Sequence, residues 1–348
     1  MSTLSGACGN TCGSSCSDGS GSEPKQQQQE LQLPGWLTPL LWGIGGSILT
    51  IAGSLALTEN IDILRPHSMV QNVVFQPPAV VKYSQNDPYI HSIDMDTDKR
   101  FVYYHIPPPP LYGKRKRQQD HSRTVSTDRV MVYFHGNSED MIGSTAFLHY
   151  MHTCLNSCMN FRNLQRWHVF SVEYCGYGML KQDTLDEKLT ISKVSSFLES
   201  LVKEQKLCRW SDLFLLGRSI GTGFVCAIQN HMHQLDIGGT ILISPFTRLT
   251  HILENACHLS NTALLYPAVS CLLYDRFDNE KHIALIQNPV LILHGTQDTL
   301  IPIIHAYKLQ NARPAKNTSV IPMEDGTHND LSIAQLARCI MKWLDSLS

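Results

Sequence analysis

At 348 residues the chain is about two average domain lengths, yet single α/β domains of about 200–250 residues are common, so one large domain with an appendage competes with two domains. Hydrophobic residues make up 43% and charged residues 17%, below the roughly 25% charge usual in soluble proteins, which excludes a disordered chain and supplies a large core. With 28 Lys and Arg against 30 Asp and Glu, no long-range field favours nucleic acid, and 11 cysteines are too few for a disulfide scaffold of this length.

Residues 1–34 are rich in Ser, Gly, Gln and Cys and read as a disordered tail, since nothing in them can pack. Cys8, Cys12 and Cys16 recur there every four residues and are candidate S-acylation sites. Residues 35–58 read as a transmembrane helix. From Trp36 to Leu57 the chain runs 22 residues without a charge, about 33 Å of helix against a hydrocarbon layer of about 30 Å. Lys25 lies on one side and Arg65 on the other, so the basic flanks do not set its orientation.

Beyond the span, Phe101–Ile106 reads as a strand closed by Pro107–Pro110. A polar loop with Lys114-Arg115-Lys116-Arg117 fills the rest of 107–127 and is expected to be solvated. From Val130 onward, short apolar runs alternate with helix-length segments. Val130–Phe134, Val169–Glu173, Leu213–Leu216, Thr240–Ile243 and Val290–Leu293 are the strands; Asp183–Lys206, Ile220–His231 and Ile333–Leu347 carry helical spacing. The alternation predicts an α/β fold with a mostly parallel sheet and helices on both faces.

Leu213–Leu216 runs into Gly217-Arg218-Ser219-Ile220-Gly221, a G-x-S-x-G turn before a helix. Such a turn holds a nucleophile at a sharp corner where a neighbouring Cβ would not fit. The pentapeptide alone is a weak signal; its place between strand and helix strengthens it. A serine hydroxyl needs a base, and the base needs an acid to fix its tautomer. Asp298, in the loop after Val290–Leu293, is the candidate acid, and His328, in the loop before the last helix, the candidate base. Asp325 is a rival acid, weakened by its place in the base's own loop. His135-Gly136-Asn137-Ser138 follows the first core strand, and with the residue after the nucleophile it offers two amides for an oxyanion, those of Asn137 and Ile220.

Six motifs now stand in order: Phe134-His135-Gly136-Asn137, Glu173-Tyr174-Cys175-Gly176-Tyr177-Gly178, the G-x-S-x-G turn, Ser244-Pro245-Phe246, His294-Gly295-Thr296-Gln297-Asp298 and Asp325-Gly326-Thr327-His328-Asn329-Asp330. Over about residues 70–348 the chain resembles the membrane-associated alpha/beta-hydrolase-domain-containing serine hydrolases, the group that includes protein depalmitoylases. The resemblance implies an alpha/beta-hydrolase sheet, a Ser219–Asp298–His328 triad, and no metal or organic cofactor. It departs at Glu173, where these hydrolases commonly have Asp, and in the loop at 107–127, which reads as an insertion.

The expected function is a membrane-anchored serine hydrolase acting on acyl thioesters or esters, with an acylated protein or lipid as substrate and no nucleic-acid partner. A lipid esterase, a serine peptidase or amidase, and a non-catalytic membrane-anchored interaction module are the alternatives. Residues 245–288 read as a small cap. Phe246, Leu249, Leu253, Leu264, Leu265 and Tyr266 make it apolar, as acyl-chain contacts or as core. Scattered cysteines favour a cytosolic catalytic domain, against which Asn317-Thr318-Ser319 is an N-glycosylation triplet usable only on the lumenal side.

Overall fold

Successive residues of a strand face opposite sides of a sheet, so a strand apolar at every position must be covered on both faces. The computed structural model shows this arrangement. It describes residues 74–347 apart from 79–82, 84–85, 96–98, 111–127, 158–165, 260–275 and 315–316. The strands are β1 (Ile90–Met95), β2 (Lys99–Ile106), β3 (Arg129–Phe134), β4 (Trp167–Val172), β5 (Leu213–Arg218), β6 (Gly239–Ile243), β7 (Val290–Gly295) and β8 (Thr318–Met323). They form one sheet in the order β1-β2-β4-β3-β5-β6-β7-β8. Strand β2 pairs antiparallel with β1 and β4, and every pairing from β4 through β8 is parallel.

The helices are α1 (Thr145–Ser157), α2 (Glu187–Glu199), α3 (Ile220–His231), α4 (Leu249–Leu259), α5 (Asn279–Ile283), α6 (Ile304–Ala312) and α7 (Ile333–Ser346). Alternate strand residues divide between two cores. Val130, Val132, Leu213, Leu215, Val290 and Ile292 pack with Val194 and Phe197 of α2, Phe224 and Ile228 of α3, and Leu309 of α6. Met131, Tyr133, Phe214, Leu216, Leu291 and Leu293 pack with Leu148 and Met151 of α1 and with Leu336, Ile340 and Trp343 of α7. Each such side chain contributes about 1.5–3 kcal/mol when fully buried. The fold is that of the alpha/beta hydrolases.

The strands expected from apolar runs are present, each within two residues of its expected ends. Strands β1 and β8 and helices α1, α4, α5 and α6 were not expected. β1 and β8 are the sheet edges, with half-exposed patterns that lack the continuous apolar run of a central strand. The helix expected over Asp183–Lys206 starts later, at Glu187, where the Asp186 side chain accepts from the Leu189 amide and caps it. Its C-terminal end widens into a π-helical turn, Ser200–Glu204.

The tail with Cys8, Cys12 and Cys16, the span at 35–58 and the Lys/Arg run of the 107–127 loop lie outside the described residues. Among the described residues no helix is long and apolar enough to cross a membrane. Cys175, Cys208, Cys226 and Cys339 are free thiols. Asn317, acceptor of the glycosylation triplet, donates from Nδ2 to the Gln287 carbonyl at 3.1 Å and accepts from Arg313 at 3.1 Å.

Candidate active site

Every candidate group follows the C-terminal end of a parallel strand, the edge where open α/β sheets place their sites. Ser219 sits between β5 and α3 with φ 52° and ψ −119°, a strained conformation for a residue with a Cβ. The strain is held by neighbours: the Ser219 amide donates to Ile243 O at 2.9 Å, and its carbonyl accepts from the Thr222 amide at 2.9 Å and the Thr222 hydroxyl at 2.6 Å. Gly221 lets the first turn of α3 rest on the end of β3. A Cβ there would come 2.2 Å from Phe134 O and 2.8 Å from His135 O.

The β7 and β8 loops meet at Gly295, where an added Cβ would lie 2.3 Å from Gly326 O. This contact brings Asp298 and His328 together. His328 Nδ1 is 2.7 Å from Asp298 Oδ2, and His328 Nε2 is 2.9 Å from Ser219 Oγ. The carboxylate accepts the Nδ1 proton, leaving Nε2 to accept from the serine hydroxyl. Asp298 and His328 are buried, and Ser219 is half-buried. Burial alone would raise the Asp298 carboxyl, but hydrogen bonds from His294, His328 and the Ile301 amide outweigh it and hold it well below the usual carboxylate range. Asp325 is exposed, its amide donating to Thr296 Oγ1 at 3.1 Å, and it is Asp298 that bonds His328.

Asn137 and Ile220 lie at the ends of β3 and β5, which pair through Phe134 and Gly217. The Asn137 side chain is engaged: Nδ2 donates to Val74 O at 2.9 Å, while Oδ1 accepts from the Gln76 amide at 2.9 Å and the Tyr177 hydroxyl at 2.6 Å. These bonds fix the turn that carries the Asn137 backbone amide. Ile220 is the first residue of α3, where a helix leaves its amides without intrahelical acceptors.

Three supporting groups were not singled out as site residues from sequence. His294 is fully buried behind Asp298, its Nε2 2.7 Å from Ile301 O and 3.5 Å from Asp298 Oδ2. Both neighbours are oxygens, so Nε2 carries the proton. His135 is also fully buried, its Nδ1 2.9 Å from Gly136 O and its Nε2 3.1 Å from Glu173 Oε1. Burial opposes charging this ring, yet the Glu173 carboxylate prevails and raises its pKa. Glu173 thus holds the β3 turn from behind. The third is Glu139, which pairs with Arg218. His294 and His135 were visible only as residues beside a motif glycine, and no signal in sequence pointed to Glu139.

Phe246 and Leu249 at the start of the 245–288 segment are core residues. Leu264, Leu265 and Tyr266 lie outside the described residues, as does the Leu253 side chain.

No family model matches the chain. The uncharacterized protein YfhR of Salmonella typhimurium is 29% identical over 212 residues, covering 58% of this chain and 64% of that protein. Human alpha/beta hydrolase domain-containing protein 17B is 24% identical over 205 residues, covering 59% of this chain and 62% of its own length. The chain thus spans less than two thirds of either relative. An acetyl xylan esterase from Paenibacillus sp. R4 superimposes with a TM-score of 0.55 at 14% identity, covering 83% of this chain and 95% of the esterase, a likeness of fold.

Proposed function

We propose that this chain is a serine hydrolase that cleaves acyl thioesters or esters through an acyl-enzyme. The observation that carries the reading is the unbroken hydrogen-bonded line from Ser219 Oγ through the His328 ring to Asp298, with the serine at a strained strand-to-helix corner. Ser219 Oγ attacks the acyl carbonyl as its proton passes to His328 Nε2. Asp298 keeps Nδ1 protonated and stabilises the imidazolium that forms. The oxyanion is met by the amides of Asn137 and Ile220. Collapse of the tetrahedral intermediate breaks the bond to the thiol or alcohol, which takes the proton from His328 Nε2 and leaves. A water then gives a proton to His328, attacks the acyl-serine and releases the acid, restoring the serine hydroxyl. No step needs a metal or an organic cofactor.

The substrate class rests on sequence. A span of 22 uncharged residues ahead of the domain, with three cysteines suited to acylation before it, would hold the site beside a bilayer where acylated proteins and lipid esters reside. A fluorophosphonate probe tests the chemistry in membranes carrying the full chain. Labelling that disappears in Ser219→Ala supports the reading, with turnover expected to fall on the order of 10⁶-fold. Folded wild-type protein that does not label overturns it. Faster turnover of an aminoacyl amide than of the matching thioester would move the proposal to a peptidase.

A further inference from the structure

The turn after β3 and the corner after β5 are joined by one ion pair. Arg218 Nη1 lies 2.5 Å from Glu139 Oε1, with side chains 25% and 26% exposed. Arg218 immediately precedes Ser219. Glu139 closes the turn that carries Asn137: its amide donates to Gly136 O at 3.3 Å, and its Oε2 accepts from the Gly136 amide at 3.3 Å. The same oxygen accepts from Ser144 Oγ at 3.2 Å and Tyr133 OH at 3.4 Å.

A partly exposed ion pair adds little to global stability. Nor is this one needed to join the strands, because β3 and β5 already pair as far as Phe134 and Gly217. Backbone pairing ends there, and the two amides assigned to the oxyanion lie beyond it. The single carboxylate of Glu139 reaches both: one oxygen holds the turn at Gly136, the other holds the arginine before Ser219.

We propose that Glu139 and Arg218 are positioning residues that set the separation between the Asn137 and Ile220 amides, and so their joint aim at the oxyanion. This rests on the hydrolase reading above. Neither side chain is assigned a contact with reacting atoms. An oxyanion exists only during turnover, so loosening the pair lowers kcat and leaves KM in place.

The test uses the full chain in membranes with a p-nitrophenyl acyl ester, comparing Glu139→Gln, Arg218→Gln and the double variant with wild type and Ser219→Ala. The expected result for each single variant is a kcat reduced roughly 10- to 100-fold, less than or similar to loss of one oxyanion donor, at unchanged KM and unfolding temperature. The double variant should be no slower than the slower single, because both changes open the same link. A single variant with wild-type kcat overturns the proposal. So does a raised KM at normal kcat, which would make Arg218 a substrate contact, or kcat losses that multiply in the double. Should Glu139→Gln fail to fold, Arg218→Gln carries the same test alone. Ser219→Ala with wild-type turnover would defeat the hydrolase reading itself; an inactive Ser219→Ala beside fully active Glu139 and Arg218 variants defeats only the positioning role.

Discussion

At the scale of single residues, His294 shows how a side chain outside the hydrogen-bonded line can determine its geometry. Its Nε2–H donates to Ile301 O, and the Ile301 amide donates to Asp298 Oδ1 at 2.8 Å, so the ring holds the loop that presents the carboxylate. Removing a buried partner leaves the other group unsatisfied at about 1–3 kcal/mol. His294→Ala is therefore expected to lower unfolding free energy by about that amount in urea titration and to reduce kcat as well. Asp298→Asn keeps the volume and loses the charge; by analogy with other triads it should lower kcat about 10⁴-fold with the fold intact, measured by steady-state turnover and circular dichroism. His135 is different in kind, since both its ring nitrogens face oxygens and the Glu173 carboxylate raises its pKa against the effect of burial. Glu173→Ala would leave the buried His135 Nε2 without its partner, and urea titration should show a loss of about 1–3 kcal/mol.

At the scale of elements, the corner between β5 and α3 depends on backbone contact that no side chain could permit. Gly221→Ala places a methyl against two carbonyl oxygens of the β3 exit, neither of which can rotate away. Overpacking of this sort costs about 1–3 kcal/mol, and the shift needed to relieve it would part the two amides. Slower fluorophosphonate labelling together with a lower urea midpoint is the expected outcome. The segment at 245–288 is anchored on the same helix: Phe277 packs edge-on to Phe224 of α3 at 5.0 Å and to Phe246 at 6.4 Å. Central strands were legible because burial on both faces forces continuous apolar runs. β1 and β8 were not, because an edge strand half open to solvent has no such run. Helix α6 escaped for a related reason: Ile304 and Tyr307 are exposed while His305 is buried, which blurs the apolar spacing.

At the scale of the whole molecule, two buried groups give stability opposite dependences on pH. The raised pKa of His135 means that its contribution is complete below the ordinary histidine value of about 6.5 and is lost as pH climbs through the raised value. The depressed pKa of Asp298 means that its contribution is complete above the ordinary value of about 3.9 and is lost as pH falls below it. Urea unfolding across pH should therefore show His135→Gln losing less stability than the wild type as pH climbs above about 6.5. What the sequence by itself determined was the α/β class and the central strands, since apolar period and length follow directly from burial. It also identified Ser219, Asp298, His328 and the Asn137 and Ile220 amides as candidates, because a nucleophile corner and strand-end loops leave local signatures. Tertiary structure alone decided that Asp298 and not Asp325 meets His328, that His294 and the His135–Glu173 pair stand behind the site, and that Glu139 reaches Arg218. Those four pairings join residues 4 to 79 positions apart, and none has a local pattern to announce it.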